Sequence, residues 1–126
     1  MSYKVNCTPI GLELDTTKIK TIGRKLKTAN VIDFLEMEGF TITVIDFKKI
    51  IISKLPEEYL ALNSTLDNLT PYLSGKIIMV GEDETEWVEY FDGVIRRKIV
   101  THLKGKATSA KHIIDAPANG RKLFLE

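Results

Sequence analysis

The sequence predicts an α+β fold: a mainly antiparallel sheet of about five or six strands, with one or two helices packed on one face. Two observations predict it. Residues 76–103 read as a C-terminal three-strand meander, KIIMV, EWVEYF and VIRRKIVTHL, interrupted by the turns GEDET and Asp92-Gly93. Alternating apolar runs around an Asp-Gly dipeptide are a strong hairpin signal, because a type I′ turn needs positive φ at both central residues. Upstream, Tyr59, Leu62, Leu66, Leu69 and Leu73 instead recur at the spacing of one helix face.

From the N-terminus, residues 3–14 are β-prone but contain Pro9 and Gly11. Proline donates nothing to a ladder, so this segment reads as an edge strand or as two short strands around a bulge. Ile19, Ile22 and Leu26 then suggest a helical stripe, opposed by Thr16, Thr17, Thr21 and Gly23, so a marginal helix or ordered loop is expected. Asn30 is a good N-cap, with Asp33 at N3 and Gly39 past the end, which predicts a short helix over 31–38. Residues 40–47 alternate as a strand that is apolar on both sides, the pattern of a central strand. Residues 48–55, with three consecutive isoleucines, continue as another.

Pro56, Glu57 and Glu58 read as a helix start, and Pro71 as a break before Gly75. In the meander, parity places Trp87 and Phe91 on one face and Val88 and Tyr90 on the other. On the third strand Ile95, Ile99 and Leu103 read as core, leaving Arg96, Lys98 and His102 on an exposed cationic face. Residues 104–126 read as a less regular or mobile tail, with a short helix over 107–116 and a last strand over 122–125.

At 126 residues the chain fits a single domain, able to bury about two-thirds of its unfolded surface. No apolar run approaches the roughly 18 residues that span a bilayer, and residues 1–11 lack a secretory apolar region, so the expected location is cytoplasmic. The net charge of +1 conceals segregation. Residues 1–28 hold six Lys/Arg against two Asp/Glu, residues 29–93 four against thirteen, and residues 94–126 eight against two. Either these segments neutralise one another on packing or a basic face is left for an anionic partner.

No motif names a reaction. The eight glycines form no phosphate loop, and no G-x-S-x-G elbow is present. Cys7 is the one cysteine, which excludes an internal disulfide and a cysteine-cluster zinc site. His102 and His112 lack metal-ligand spacing. Glu82, Asp83, Glu84 and Glu86 do not follow the calcium-loop pattern, and adjacent acids on a turn usually only solvate it. No catalytic, metal or cofactor-binding residue is therefore assigned, and no cofactor is expected. The candidate anionic-partner surface is Arg96, Arg97, Lys98, Lys104 and Lys106. Its competing explanation is cross-strand pairing of Arg96 and Lys98 with Glu86 and Glu89.

The run from Leu66 to Val100 joins a helix to Leu73-x-Gly75-x-Ile77, Gly81-Glu82-Asp83, Trp87 and Phe91-Asp92-Gly93. It resembles a family of small bacterial domains of unknown function. The resemblance implies an α+β meander domain and no activity. Small Lys/Ile-rich chains without enzymatic motifs are also associated with phages and mobile elements. The expected function is a non-catalytic interaction protein, an accessory or inhibitory factor that binds a protein partner. The alternative is a nucleic-acid-binding module using strand 94–103 and the basic tail, and an enzyme with an unrecognised site comes third. A homo-oligomer is a further possibility behind a protein partner, and no membrane partner is expected.

Overall fold

The computed structural model describes residues 3–46, 49–102 and the strand Leu123–Leu125. In chain order the elements are β1 (Val5–Leu14), α1 (Ile19–Leu26), α2 (Val31–Met37), β2 (Thr41–Ile45), β3 (Lys49–Lys54), α3 (Tyr59–Leu69), β4 (Leu73–Gly81), β5 (Glu86–Asp92), β6 (Arg96–His102) and β7 (Leu123–Leu125). The strands form one sheet in the order β2-β3-β1-β4-β5-β6-β7, antiparallel throughout except for β6 and β7. The α+β class and the β4-β5-β6 meander are as the sequence predicts, with three α-helices where one or two were expected. No described helix is long and apolar enough to cross a membrane.

β1 lies inside the sheet, not at its edge, yet Pro9 is accommodated. β3 pairs with β1 only at Glu13 and Leu14, and Val5 donates its N–H to the Glu57 carbonyl, so Asn6–Ile10 is laddered on the β4 side alone. The register slips between Ile10 and Glu13, around Gly11, whose φ is +59°. The helical alternative holds for residues 19–26. Ile22 and Leu26 are buried, and Gly23 lets the chain fold back so closely that a Cβ there would lie 2.8 Å from the Thr28 carbonyl. In α2 the Asn30 side chain accepts the Asp33 N–H at 3.0 Å, and Gly39 follows at φ +105°.

Three further expectations are corrected by the fold. β2 is the edge strand: its apolar character on both sides reflects exposure, with Val44 and Ile45 each more than two-fifths accessible. α3 starts three residues after Pro56, where the Glu58 carboxylate accepts the N–H groups of Leu60 and Ala61. Pro71 sits in a 3₁₀ turn after α3, and Leu73, the last residue of the apolar series, opens β4. The Asp92-Gly93 turn also differs from type I′. Only Gly93 has positive φ, and the Asp92 carboxylate accepts the N–H groups of Val94 and Ile95, each at 2.9 Å.

The core lies between the helices and one face of the sheet. Ile22, Leu35, Tyr59, Leu62, Leu66 and Leu69 from the helices meet Leu12, Ile52, Ile77, Met79 and Trp87 from the strands. On the other face no described helix packs. The expected helix over 107–116, and Lys104 and Lys106, lie outside the described residues. The expected last strand forms as β7.

Candidate functional site

The strand predicted to display cations turns them inward. Arg96 and Lys98 are buried on β6, whereas Arg97, Thr101 and His102 are exposed and Ile99 is half-buried. This corrects the expectation for Arg96 and Lys98, while His102 is exposed as expected. The reason is register: Phe91 pairs with Arg96 and Glu89 with Lys98, so both cations share the face of Trp87, Glu89 and Phe91.

The result is a polar cluster sealed within the apolar layer. Arg96 Nε donates to Glu89 Oε1 at 2.7 Å, and its Nη2 donates to Asn63 Oδ1 at 2.6 Å. The same amide oxygen accepts Lys98 Nζ at 3.3 Å. The second carboxylate oxygen of Glu89 accepts the Trp87 indole N–H at 2.9 Å and the Tyr59 hydroxyl at 3.2 Å. Lys98 Nζ also lies 5.5 Å from the centre of the Tyr59 ring, and the Arg96 guanidinium 5.8 Å from that of Phe91. Sheet and helix both contribute: β5 and β6 bring the charges, and Tyr59 and Asn63, one turn apart on α3, meet them.

Ionisation follows from this packing. Burial alone would raise the Glu89 pKa, but Arg96, then Lys98 and the indole N–H, hold it below the usual carboxylate range. Lys98 is pulled down to about 8, chiefly by burial and secondarily by Arg96, against the opposing pull of Glu89 and Asp67. An amine that is neutral near pH 8 is a nucleophile where substrate can reach it. Lys98 is 1% exposed, so its chemistry here is internal pairing. Cys7 is pushed up to about 12 by burial, then by Glu89 and Glu57, which removes thiolate character at neutral pH.

The Lys98 shift has a definite sign. Above a folded pKa of about 8 and below an unfolded value near 10.4, the unfolded chain binds the extra proton, so stability from this group rises with pH. At and below pH 8 the buried charge is a steady penalty on the order of 3 kcal/mol. Cys7 and the buried tyrosines act oppositely at higher pH, so the readout is a difference. Urea unfolding of wild type and Lys98→Met at pH 7.5, 8.5 and 9.5 should show wild type gaining on the variant with each step. A constant gap would mean that Lys98 does not titrate in that window.

Elsewhere, the acidic turn before β5 anchors the N-terminal segment. Asp83 accepts the Tyr3 hydroxyl at 2.6 Å and the Thr85 hydroxyl at 3.0 Å. Among the described residues no group of three or more His, Cys, Asp or Glu side chains is placed to hold a metal ion. Of the predicted anionic-partner residues, the structure thus buries Arg96 and Lys98 together and leaves Arg97 on the opposite face.

That opposite face is an extended surface to which the sequence assigned no role. Its cross-strand rows run Ile10–Lys76–Tyr90–Arg97, Thr8–Ile78–Val88–Ile99 and Asn6–Val80–Glu86. Ile78, Val88, Tyr90 and Ile99 are half-buried, while Ile10 and Val80 are exposed. Arg97 lies over the Tyr90 ring at 5.8 Å. The parity of β4 and β5 already carried this signal, since Ile78, Val88 and Tyr90 oppose the core residues Ile77, Trp87 and Phe91. Comparison with protein-family models, curated proteins and solved structures finds no match to this chain.

Proposed function

We propose that this protein is a non-catalytic cytoplasmic interaction protein, an accessory or inhibitory factor that docks a partner protein on the open face of its sheet. The observation that supports it is the row Ile78–Val88–Ile99, an apolar strip across three strands with no described helix over it. Its surroundings carry both signs of charge: Lys76 and Arg97 on one side, Glu86 on the other. An apolar centre within a mixed polar rim is the composition of a protein–protein interface. A polyanion would be repelled by the acidic part of that rim.

The test is affinity purification of tagged protein from its native cell, with nuclease treatment, comparing wild type with Val80→Lys/Val88→Lys. Circular dichroism establishes that the variant folds. The expected result is a stoichiometric protein that the wild type retains and the variant loses. Retention by both would place the interface elsewhere. A dimer in sedimentation that the double variant dissociates would replace the partner protein with a second copy of this chain.

A further inference from the structure

We infer that the exposed face of α1 is a sequence-independent contact for the phosphodiester backbone of nucleic acid. The inference is independent of the open-face reading and uses residues on the helical side of the molecule. Between Asp15 and Asp33 the chain has five cations, Lys18, Lys20, Arg24, Lys25 and Lys27, and no carboxylate. α1 anchors Ile22 and Leu26 in the core and leaves all five cations exposed. Lys20 and Arg24 are one turn apart on α1, and Lys27, the left-handed residue that ends the helix, lines the same groove, so the three form one stripe. They line a surface groove of about 530 Å3 with Ile19 and Val31, and Gly23 holds its floor at backbone level. Among the described residues none of these three is in an ion pair.

Helix stability explains only part of this arrangement. Arg24, Lys25 and Lys27 lie at the C-terminal end, where the helix dipole favours cations. Lys18 and Lys20 lie at the opposite end, where it disfavours them; Asp15, which caps the 3₁₀ turn Thr16–Lys18 leading into α1, offsets Lys18, and the first turn of α1 itself contains no acid beside Lys20. Lys20 also faces Arg24 one turn away, a repulsive i, i+4 pair. The free helix is thus less stable than its backbone allows, and an anion along the stripe relieves both terms. The stripe spans roughly 10 Å from Lys20 to Lys27. Its charges are spread along a line and do not converge on a point, which suits successive phosphates better than a single small anion. No aromatic ring lines the groove to stack on bases, and a row of cations suits the phosphates, whose contacts carry no sequence information. The single sign of this surface contrasts with the mixed rim of the open sheet face. It also takes over the role the sequence reading gave to Arg96 and Lys98, which the fold uses internally.

The experiment is fluorescence anisotropy of labelled mixed-sequence 20-nucleotide DNA, single- and double-stranded, titrated with the whole chain at 50 to 200 mM NaCl. With about three phosphates engaged, affinity for duplex should fall roughly 40-fold across that range, without regard to base sequence. Lys20→Glu/Arg24→Glu/Lys27→Glu should weaken binding at least tenfold at low salt. Lys76→Glu/Arg97→Glu, on the other sheet face, should leave it unchanged. Lys20→Glu alone separates a binding role from a structural one. It should weaken binding severalfold while holding or raising the melting temperature, because it suits the dipole and faces Arg24 with opposite charge. Absence of salt-sensitive binding would overturn the inference, as would a triple variant that binds like wild type. Binding to vesicles with anionic headgroups, with none to DNA, would overturn it in favour of a membrane surface.

Discussion

Glu89→Ala is expected to destabilise the protein by about 3–5 kcal/mol, the range for removing one partner of a buried charge cluster. The carboxylate accepts from Arg96, Trp87 and Tyr59, and all four residues are fully buried. Alanine takes the acceptor from three donors at once and leaves two cations, Arg96 and Lys98, in the apolar layer without the Glu89 counter-charge. Glu89→Gln keeps much of the shape but not the charge, and should fall between wild type and alanine. The informative companion is Glu89→Leu/Arg96→Met/Lys98→Met. Replacing a whole buried charge group with apolar residues of similar volume is often neutral or stabilising, so this triple variant should recover most of the loss. Urea midpoints followed by far-UV circular dichroism provide the comparison. A loss below about 1 kcal/mol for Glu89→Ala would show that water reaches the cluster and screens it.

Gly75→Ala is the second large effect, about 3–5 kcal/mol, and its origin is backbone, not charge. Gly75 has φ +118°, a conformation that costs a non-glycine residue about 1–3 kcal/mol. An added Cβ would also strike the Gly11 carbonyl oxygen and lie 2.8 Å from Leu12 Cα, at the bulge where β1 changes register against β4. Both neighbours are main chain, so the clash moves a strand, adding the roughly 1–3 kcal/mol of an overpacked site. Gly93→Ala isolates the conformational part, since φ there is +87° and nothing lies within 4 Å of the added atom. Its loss should stay near 1–2 kcal/mol. Equal losses at the two positions in thermal or urea unfolding would remove the steric half of this explanation.

The strands and helices were legible because local signals agreed with the fold. Asn30 capping α2, the β4-β5-β6 alternation and the leucines of α3 all act over a few residues. The charged cluster was only partly legible. Parity places Trp87 and Phe91 on one face, and Glu89 shares it. A hairpin loop with an even number of residues then carries that face to Arg96 and Lys98. The observed four-residue loop does this, and the two-residue turn expected at Asp92-Gly93 would have done so too. Hydrophobicity pointed the other way, because Ile95 and Ile99 are apolar and Arg96 and Lys98 are not. Parity prevailed, and the partners that make it tolerable, Tyr59 and Asn63, sit 26 or more residues away on α3. No local pattern supplies that meeting. The edge position of β2 was illegible for a related reason: a strand apolar on both sides looks alike whether buried or left exposed.

β1 has a consequence for synthesis of the chain. Its ladder partner for Val5–Ile10 is β4, which places Val5 opposite Gly81 and Ile10 opposite Lys76. A chain growing from its N-terminus therefore holds Asn6–Ile10 with neither flank occupied until β4 has emerged. During that interval bare strand edges invite pairing with another chain. Pro9, which lacks an N–H, lies in the middle of the waiting segment, and Asn6 and Thr8 keep one side of it polar. The residue that made β1 look like an edge strand thus guards it during the period when it is one.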